Sequence, residues 1–282
     1  MVAAMDAPAA APVTTARSNP HPGLGFREFV ALVAGLMALN ALSVDVMLPG
    51  LSAIDAALGV ADDNDRQLVL GVYLGGFAAA QLVWGPLADR FGRKPALMVG
   101  LGLYVVASVG AALAPSFGAL LAARLAQGLT AASTRVIALA LVRDCYAGRG
   151  MGRVMSLVMM VFMIVPILAP GIGQVILLFA PWRWMFGLLL AGGVAMLLWV
   201  VLRLPETLRP RHRRRLRLAP LLAAYGEIVT NRVTCGYMLA LGVIFGALFG
   251  FLTSAQQVMQ EVFGLGLWFT VAFAAIAGLM SA

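Results

Sequence analysis

The feature that most constrains the fold of this chain is a short charged turn between two long apolar runs. The runs, 67–84 and 96–114, each approach the roughly 20 apolar residues that a helix needs to cross a bilayer core. The glycines of the turn allow a close bend, and its prolines are expected to mark helix ends. We therefore expect a tight hairpin at a membrane edge, with about ten residues from Gly85 to Pro95 outside the two helices. Its charged side chains, which must lie in water or in ion pairs, are Asp89, Arg90, Arg93 and Lys94.

The composition extends this interpretation to the whole chain. Apolar residues make up 62% of the sequence and charged residues only 11%, with a mean hydropathy of +0.94. These values are typical of a polytopic helical membrane protein and exclude a soluble domain of this size. We predict an all-α fold with seven complete spans and an eighth that begins near Gly264 and is still apolar at Ala282, which indicates a truncated chain. The complete spans are predicted at 29–50, 67–86, 96–114, 117–142, 154–180, 185–204 and 234–254.

The basic residues predict the topology. Almost all of the 20 Lys and Arg residues fall on the side of the amino-terminal tail, whereas the other side carries Arg66 and Arg183. By the positive-inside rule the amino terminus is cytoplasmic, and the protein is placed in the inner (plasma) membrane. Four regions follow: a disordered cytoplasmic tail over 1–28, a six-helix domain over 29–204, a basic cytoplasmic linker over 205–233, and the incomplete start of a second transmembrane domain over 234–282.

Three charged residues fall inside predicted spans, where a charge is costly and marks a candidate functional site. Asp45 lies in the first span, and Arg124 and Arg135 lie in the fourth. The rise of an α-helix places Asp45 and Arg124 at similar depth, about 10 Å below the outer edge. Either the two form a buried pair that only joins helices, or Asp45 carries a proton as its surroundings alternate between wet and dry. Arg135 either snorkels toward the cytoplasm or faces a cavity.

Other span residues are candidates for movement or for substrate contact. Pro166, Pro170 and Gly173 interrupt the fifth span, which predicts a kink that is either a static packing feature or a hinge and seal. Gln81 and Gln127 line a possible cavity or bond between helices, and Gln256 and Gln257 lie near the outer end of the seventh span. The sequence contains no nucleophile and base pair, metal-ligand cluster or phosphate loop at the required spacing. We therefore expect no enzyme, no cofactor and no metal, and no nucleic-acid partner.

The turn sequence Gly-x-Leu-Ala-Asp-Arg-x-Gly-Arg-Lys resembles the loop between helices 2 and 3 of the major facilitator superfamily of secondary transporters. Six spans, a long basic loop and the start of a second set are similar to that family's six-plus-six plan, in which each half is two inverted three-helix repeats. Further segments resemble the Bcr/CflA drug-efflux family within it. They begin at Asp45 (DVMLP), Arg124 (RLAQG), Val142 (VRD), Pro166 (PILAPGIG), Trp182 (WRWMF) and Glu206 (ETL).

This resemblance implies a proton-coupled antiporter that expels drug-like compounds. Asp45 matches the family's aspartate of the first helix and Arg124 its cavity arginine, so the two are implied to couple protons. The implied cytoplasmic latch consists of Gly85, Asp89, Arg90, Gly92, Arg93 and Asp144. Met47 and Gln174 depart from the family pattern, Arg135 is not part of it, and the latch normally closes on a second half. The alternatives are a metabolite uptake porter and a truncated remnant that transports nothing; the oligomeric state stays open.

Overall fold

The computed structural model describes residues 24–60, 65–208, 213 and 218–257, with backbone only at 248–249 and 251–257. The described chain is helical, and its helices are bounded as follows: α1 Phe26–Asp45, α2 Leu51–Leu58, α3 Leu68–Phe91, α4 Arg93–Ala112, α5 Phe117–Cys145, α6 Gly148–Phe179, α7 Arg183–Arg203, α8 Leu218–Thr230 and α9 Arg232–Gln257. The predicted eighth span and most of the amino-terminal tail lie outside the described residues.

Six helical segments of the described chain are long and apolar enough to cross a membrane, and the pair α8 and α9, bent by 78° between them, makes a seventh if the two are counted as one span. The all-α polytopic prediction is thereby confirmed. The first three spans contain α1, α3 and α4, and the next three contain α5, α6 and α7. The same packing pattern relates the two sets. α3 packs on α5 as α6 packs on α1, and α4 packs on α5 as α7 packs on α1. This is the packing expected of two three-helix repeats.

Glycines allow the closest helix pairs to approach. A Cβ atom at Gly128 of α5 would overlap the carbonyl of Tyr73 on α3, and one at Gly173 of α6 would overlap the carbonyl of Val46 after α1. Small residues permit such contacts in membrane bundles, where association depends on packing and interhelical hydrogen bonds more than on apolar burial. The sequence therefore fixes the separation of α3 from α5 and of α1 from α6 at particular glycines.

The charged turn is much shorter than predicted. α3 continues through Pro86 to Phe91, and α4 begins at Arg93, so only Gly92 separates the two helices. Proline is tolerated inside α3 because neighbouring helices stabilise the interrupted turn. Gly92 has φ +109°, a conformation that glycine adopts without the steric cost of a side chain. The prediction that Pro86 ends a helix was wrong, and the bend is made at a single residue.

The first span differs from a single straight helix. It begins at Phe26, so the predicted tail ends before residue 28, and its α-helical part stops at Asp45. A short 3-10 turn, Leu48–Gly50, with Pro49 inside it, leads into α2. Proline lacks the N–H that a continuous helix needs, which explains the change of helix type at this point. Asp45 therefore lies at a helix end and not in mid-helix.

The predicted linker and fifth span also contain more regular helix than expected. The linker includes α8, Leu218–Thr230, and the seventh span follows as α9 from Arg232. α6 runs without a break through both Pro166 and Pro170.

Candidate functional site

Arg124 is the centre of a buried polar cluster in the middle of the bundle. Its side chain is 0% exposed. Nε donates to the carbonyl of Val69 on α3 at 3.1 Å, Nη2 to the carbonyl of Ser43 on α1 at 3.0 Å, and Nη1 to Oε1 of Gln127 at 2.6 Å. The guanidinium also lies 4.4 Å from the ring centre of Tyr73, a favourable cation–π contact. One arginine thus ties α1 and α3 to α5.

A second layer of hydrogen bonds holds this arginine in place. The amide nitrogen of Gln127 donates to the hydroxyl of Ser108 on α4 at 2.8 Å. The Ser108 hydroxyl donates in turn to the carbonyl of Tyr104, whose own hydroxyl shares a 2.7 Å hydrogen bond with Ser43 on α1. Gln127, for which the sequence left open a cavity lining or a bond between helices, is fully buried, and both ends of its amide are bonded. The network therefore joins α1, α4 and α5 around Arg124.

Asp45 lies next to this network but is not part of it. It is 4% exposed, and Arg124 bonds the carbonyl of Ser43, two residues earlier, so the two charged residues lie at similar depth. None of the hydrogen bonds or ion pairs among the described residues engages the Asp45 carboxylate. The hypothesis of a buried structural pair is not supported by this geometry, because Arg124 is occupied by neutral acceptors.

Asn40 lies five residues before Asp45 on α1 and was not a candidate from sequence. Its Oδ1 accepts a long hydrogen bond of 3.4 Å from the Tyr73 hydroxyl. Its amide nitrogen is buried without a partner among the described residues, an arrangement that costs about 1–3 kcal/mol. The contact with Tyr73 places Asn40 at the edge of the Arg124 cluster. Because Tyr73 is on another helix, this contact could not be predicted from the sequence.

The remaining cavity candidates divide by position. Arg135 is exposed on α5 toward the basic end of the bundle, by which we mean the end that carries Gly92, Asp144 and Glu206. Gln81 is half-buried on α3. Gln256 and Gln257 end α9, and their side chains lie outside the described part of the structure.

The residues of the predicted latch meet at the basic end. Nη1 of Arg93 lies 2.6 Å from the carboxylate of Asp89, one turn earlier in the chain, and Nε lies 3.1 Å from that of Asp144 at the end of α5. Arg90 is exposed and lies over the ring of Phe91 instead. Gly85 lies within α3, where its nearest neighbour is Val136 of α5. Asp89, Arg93 and Asp144 are thus brought together, whereas Arg90 and Gly85 are not.

Glu206 completes this cluster, although the sequence placed it only in a family-like segment. Its carboxylate accepts from the backbone N–H of Arg93 at 2.9 Å and of Lys94 at 3.3 Å. Thr207 donates to the Asp144 carboxylate at 3.2 Å. A carboxylate at the first turn of α4 bonds free N–H groups and interacts favourably with the helix dipole. The segment after α7 therefore fastens the basic ends of α4 and α5.

A family model of the Major Facilitator Superfamily matches residues 33–282, which is most of the chain. The chain belongs to the Major Facilitator Superfamily.

Curated relatives of this transporter include proteins named for drug resistance. It is 37% identical over 180 residues to the multidrug resistance protein MdtL of Escherichia coli, covering 64% of this chain and 46% of the relative. It is 31% identical over 237 residues to the bicyclomycin resistance protein homolog of Haemophilus influenzae, covering 84% and 59%. An uncharacterized MFS-type transporter of Bacillus subtilis, YdgK, is 34% identical over 242 residues, covering 85% and 60%. The chain thus spans about half the length of these relatives, and the resemblance to Bcr/CflA-type transporters is confirmed.

Solved structures agree on the fold. The human organic anion transporter MFSD10 aligns with a TM-score of 0.62 at 20% identity, covering 91% of this chain and 71% of that one. At this identity the likeness concerns the fold alone. The predicted fold of a major facilitator amino-terminal domain is therefore confirmed.

In this major facilitator transporter the proline-rich part of α6 packs beside Asp45. Pro170 and Gly173 are buried, whereas Pro166 is half-buried. Gly173 lies against Val46 and Pro49, the residues at which the first span changes helix type. A side chain at 173 would push α6 away from the segment that follows Asp45. Gly173, predicted together with Pro166 and Pro170 as a hinge or seal, thus borders the end of α1 that carries the candidate carboxylate.

Proposed function

We propose that this protein is a proton-coupled antiporter that exports drugs or other small toxic compounds across the inner membrane by alternating access. The observation that carries the proposal is the position of Asp45, which is 4% exposed, has no hydrogen bond or ion pair among the described residues, and lies two residues after the Ser43 carbonyl that Arg124 bonds. Relatives named for multidrug and bicyclomycin resistance support drug-like substrates.

The chemistry of Asp45 supplies the coupling. A carboxylate without hydrogen-bond partners needs water to be stable as an anion. When the surroundings of Asp45 open to water it releases its proton, and when they close around it the proton must be bound. Arg124 is held by neutral acceptors on α1, α3 and α5, so in this scheme it stays in place while Asp45 gains and loses its proton.

Movement around Asp45 links the proton to the substrate. The first span changes helix type directly after Asp45, and α6 contacts it there through Gly173. Pro166 and Pro170 weaken the backbone hydrogen bonding of α6 near this contact. We infer that rocking of the six-helix domain against a second half opens this region to one side of the membrane at a time. In this scheme the amino terminus and the basic end are cytoplasmic.

The test is drug-dependent proton movement in everted membrane vesicles that contain the full-length protein. With a preformed pH gradient, adding drug should dissipate the gradient in the wild type, as measured by a pH-sensitive dye. Asp45→Asn should abolish this signal, because the amide cannot carry a proton, while drug binding to the purified protein persists. Asp55→Asn is the matched control, since Asp55 lies on α2 and pairs with Arg66 at 3.8 Å. An unchanged drug-dependent signal in Asp45→Asn would refute the coupling role.

A further inference from the structure

Arg135 differs from the other charged residues inside the spans. Asp45 and Arg124 are buried, whereas Arg135 is exposed, ten residues before the end of α5 at Cys145. No hydrogen bond or ion pair within the described residues engages its guanidinium. At about 15 Å from the helix end, such a group is costly unless it meets water or a partner.

The helix geometry shows which way Arg135 points. It follows Arg124 by eleven residues, three turns and about 20°, so both lie on nearly the same side of α5. That side faces the space between α1 and α3, because Arg124 donates to a carbonyl on each. The next residue, Val136, lies 3.9 Å from a Cβ placed at Gly85 of α3. Arg135 is therefore directed between two helices and not at the outside of the bundle.

The packing of the described helices implies a groove along this side of α5. α1 and α3 both pack on α5 but make few contacts with each other. We call the space between them the α1/α3 groove. Asn40, Tyr73 and Arg124 close it at one end, where Tyr73 bonds Asn40, and Arg135 lies in it toward the basic end. Gln81, half-buried one helical turn before Gly85, lies along its α3 wall.

We propose that Arg135 forms a subsite for a negatively charged group of the substrate, with Gln81 on α3 as a second hydrogen-bonding group, so that the transporter accepts small drug-like acids. An arginine offers a planar fork of N–H donors that matches a carboxylate, sulfonate or phosphonate. No ion pair among the described residues engages Arg135, so its guanidinium is available to a negatively charged group of the substrate. Snorkelling of the side chain is compatible with this role, because it moves the guanidinium along the groove toward the basic end.

The inference rests on the proposed function only in taking the groove as part of the substrate path. Its test is therefore equilibrium binding, which needs no proton gradient. The probes are two fluorescent coumarins of one skeleton, 7-diethylaminocoumarin-3-carboxylic acid and its neutral carboxamide, titrated into purified full-length protein and followed by fluorescence polarisation. The wild type should bind the acid at least tenfold more tightly than the amide.

Three variants make the result specific. Arg135→Gln should weaken binding of the acid about tenfold and leave binding of the amide within twofold. Arg135→Lys should retain most of the preference, because the charge remains. Arg143→Gln is the matched control, since it removes an exposed arginine from the same helix two turns nearer the basic end, and it should change neither affinity.

Each other outcome would overturn the subsite. Equal loss of both probes in Arg135→Gln would mean that the arginine supports the fold and not an anionic group, and unchanged affinities would mean that it contacts no substrate. A wild type without preference for the acid would have the same consequence. Failure of the proton experiment with Asp45→Asn would leave these binding ratios as they are, so the two proposals fail separately.

Discussion

Two arginines in this bundle are held in opposite ways. Arg124, in the interior, donates to two backbone carbonyls and an amide oxygen and pairs with no carboxylate among the described residues. Arg93, at the basic end, lies between the carboxylates of Asp89 and Asp144, of which the first is 40% exposed. Arg124 is thus held by neutral acceptors in a buried site, whereas Arg93 is held by carboxylates whose charges are screened by water and salt.

Neutral hydrogen bonds in the interior and ion pairs at the basic end differ in how much free energy is needed to break them. In the interior, an unpaired donor or acceptor cannot turn to water, so every group of the cluster depends on the others. At the basic end the Arg93 side chain is 11% exposed, but the carboxylates of Asp144 and Asp89 are 22% and 40% exposed. Water therefore competes for these carboxylates, and each ion pair contributes at most about 1 kcal/mol. We therefore expect the interior cluster to be rigid and the basic-end cluster to open and close at little cost. A latch between moving domains needs the second property.

Of the substitutions considered, removal of Arg124 should cause the largest loss of stability and transport, because it breaks the interior cluster. Arg124→Ala leaves the carbonyls of Ser43 and Val69 and the amide of Gln127 without their donor, at about 1–3 kcal/mol for each buried group. We expect a loss of at least about 3 kcal/mol in stability and loss of transport, measured by thermal unfolding in detergent and by drug export. Arg93→Ala is the comparison and should cost less than about 2 kcal/mol, because it removes two ion pairs of at most about 1 kcal/mol each. Equal costs would contradict the distinction between the two regions.

Some residues of the two clusters could be predicted from the sequence and others could not, and the reasons are physical. Arg124 and Asp45 were found because a charge inside an apolar run is rare and costly. Arg93, Asp89 and Asp144 were found through a family-like motif. Ser108, Tyr104 and Asn40 were missed, because a hydroxyl or amide in a span is common and its partner lies on another helix. Their contacts depend on where glycines such as Gly128 let the helices approach, and the pattern of a single helix does not contain that information.

The exact course of the chain at the turn was also beyond the sequence. The pattern of prolines suggested that α3 ends at Pro86, but packing of α3 on α5 carries the helix to Phe91. The positions of the first six spans followed from hydropathy alone, because satisfying the backbone in a bilayer leaves a helix as the available solution. Details set by contacts between helices, including the burial of Gln127, required the structure.

A methyl group at Gly92 should have the next largest effect. Gly92→Ala meets both a φ of +109° that an L side chain rarely adopts and the carboxylate of Glu206. We expect a loss of about 1–3 kcal/mol in stability and export reduced several-fold, since the start of α4 must shift. Gly85→Ala is the matched control, because its Cβ would meet Val136 at an ordinary 3.9 Å in a helical position. If both variants behave alike, the bend at Gly92 is not what positions the basic-end cluster.

The smallest effect, and the sharpest test of the basic end, is expected from Glu206→Gln. The amide keeps the shape and one acceptor oxygen for the N–H groups of Arg93 and Lys94, but it loses the charge at the first turn of α4. The helix-terminus interaction is worth about 0.3–1 kcal/mol and is screened by salt. The amide nitrogen also faces one of these N–H groups, which loses its acceptor at any salt concentration. Thermal unfolding in detergent should therefore show a deficit that shrinks by about 0.3–1 kcal/mol between low and high salt. Arg124→Ala should show the same deficit at both salt concentrations, because no ions reach its surroundings. A salt-independent loss in Glu206→Gln would place the basic-end cluster in the same class as the interior one, and the latch would then have to open by a costlier route than the release of exposed charges.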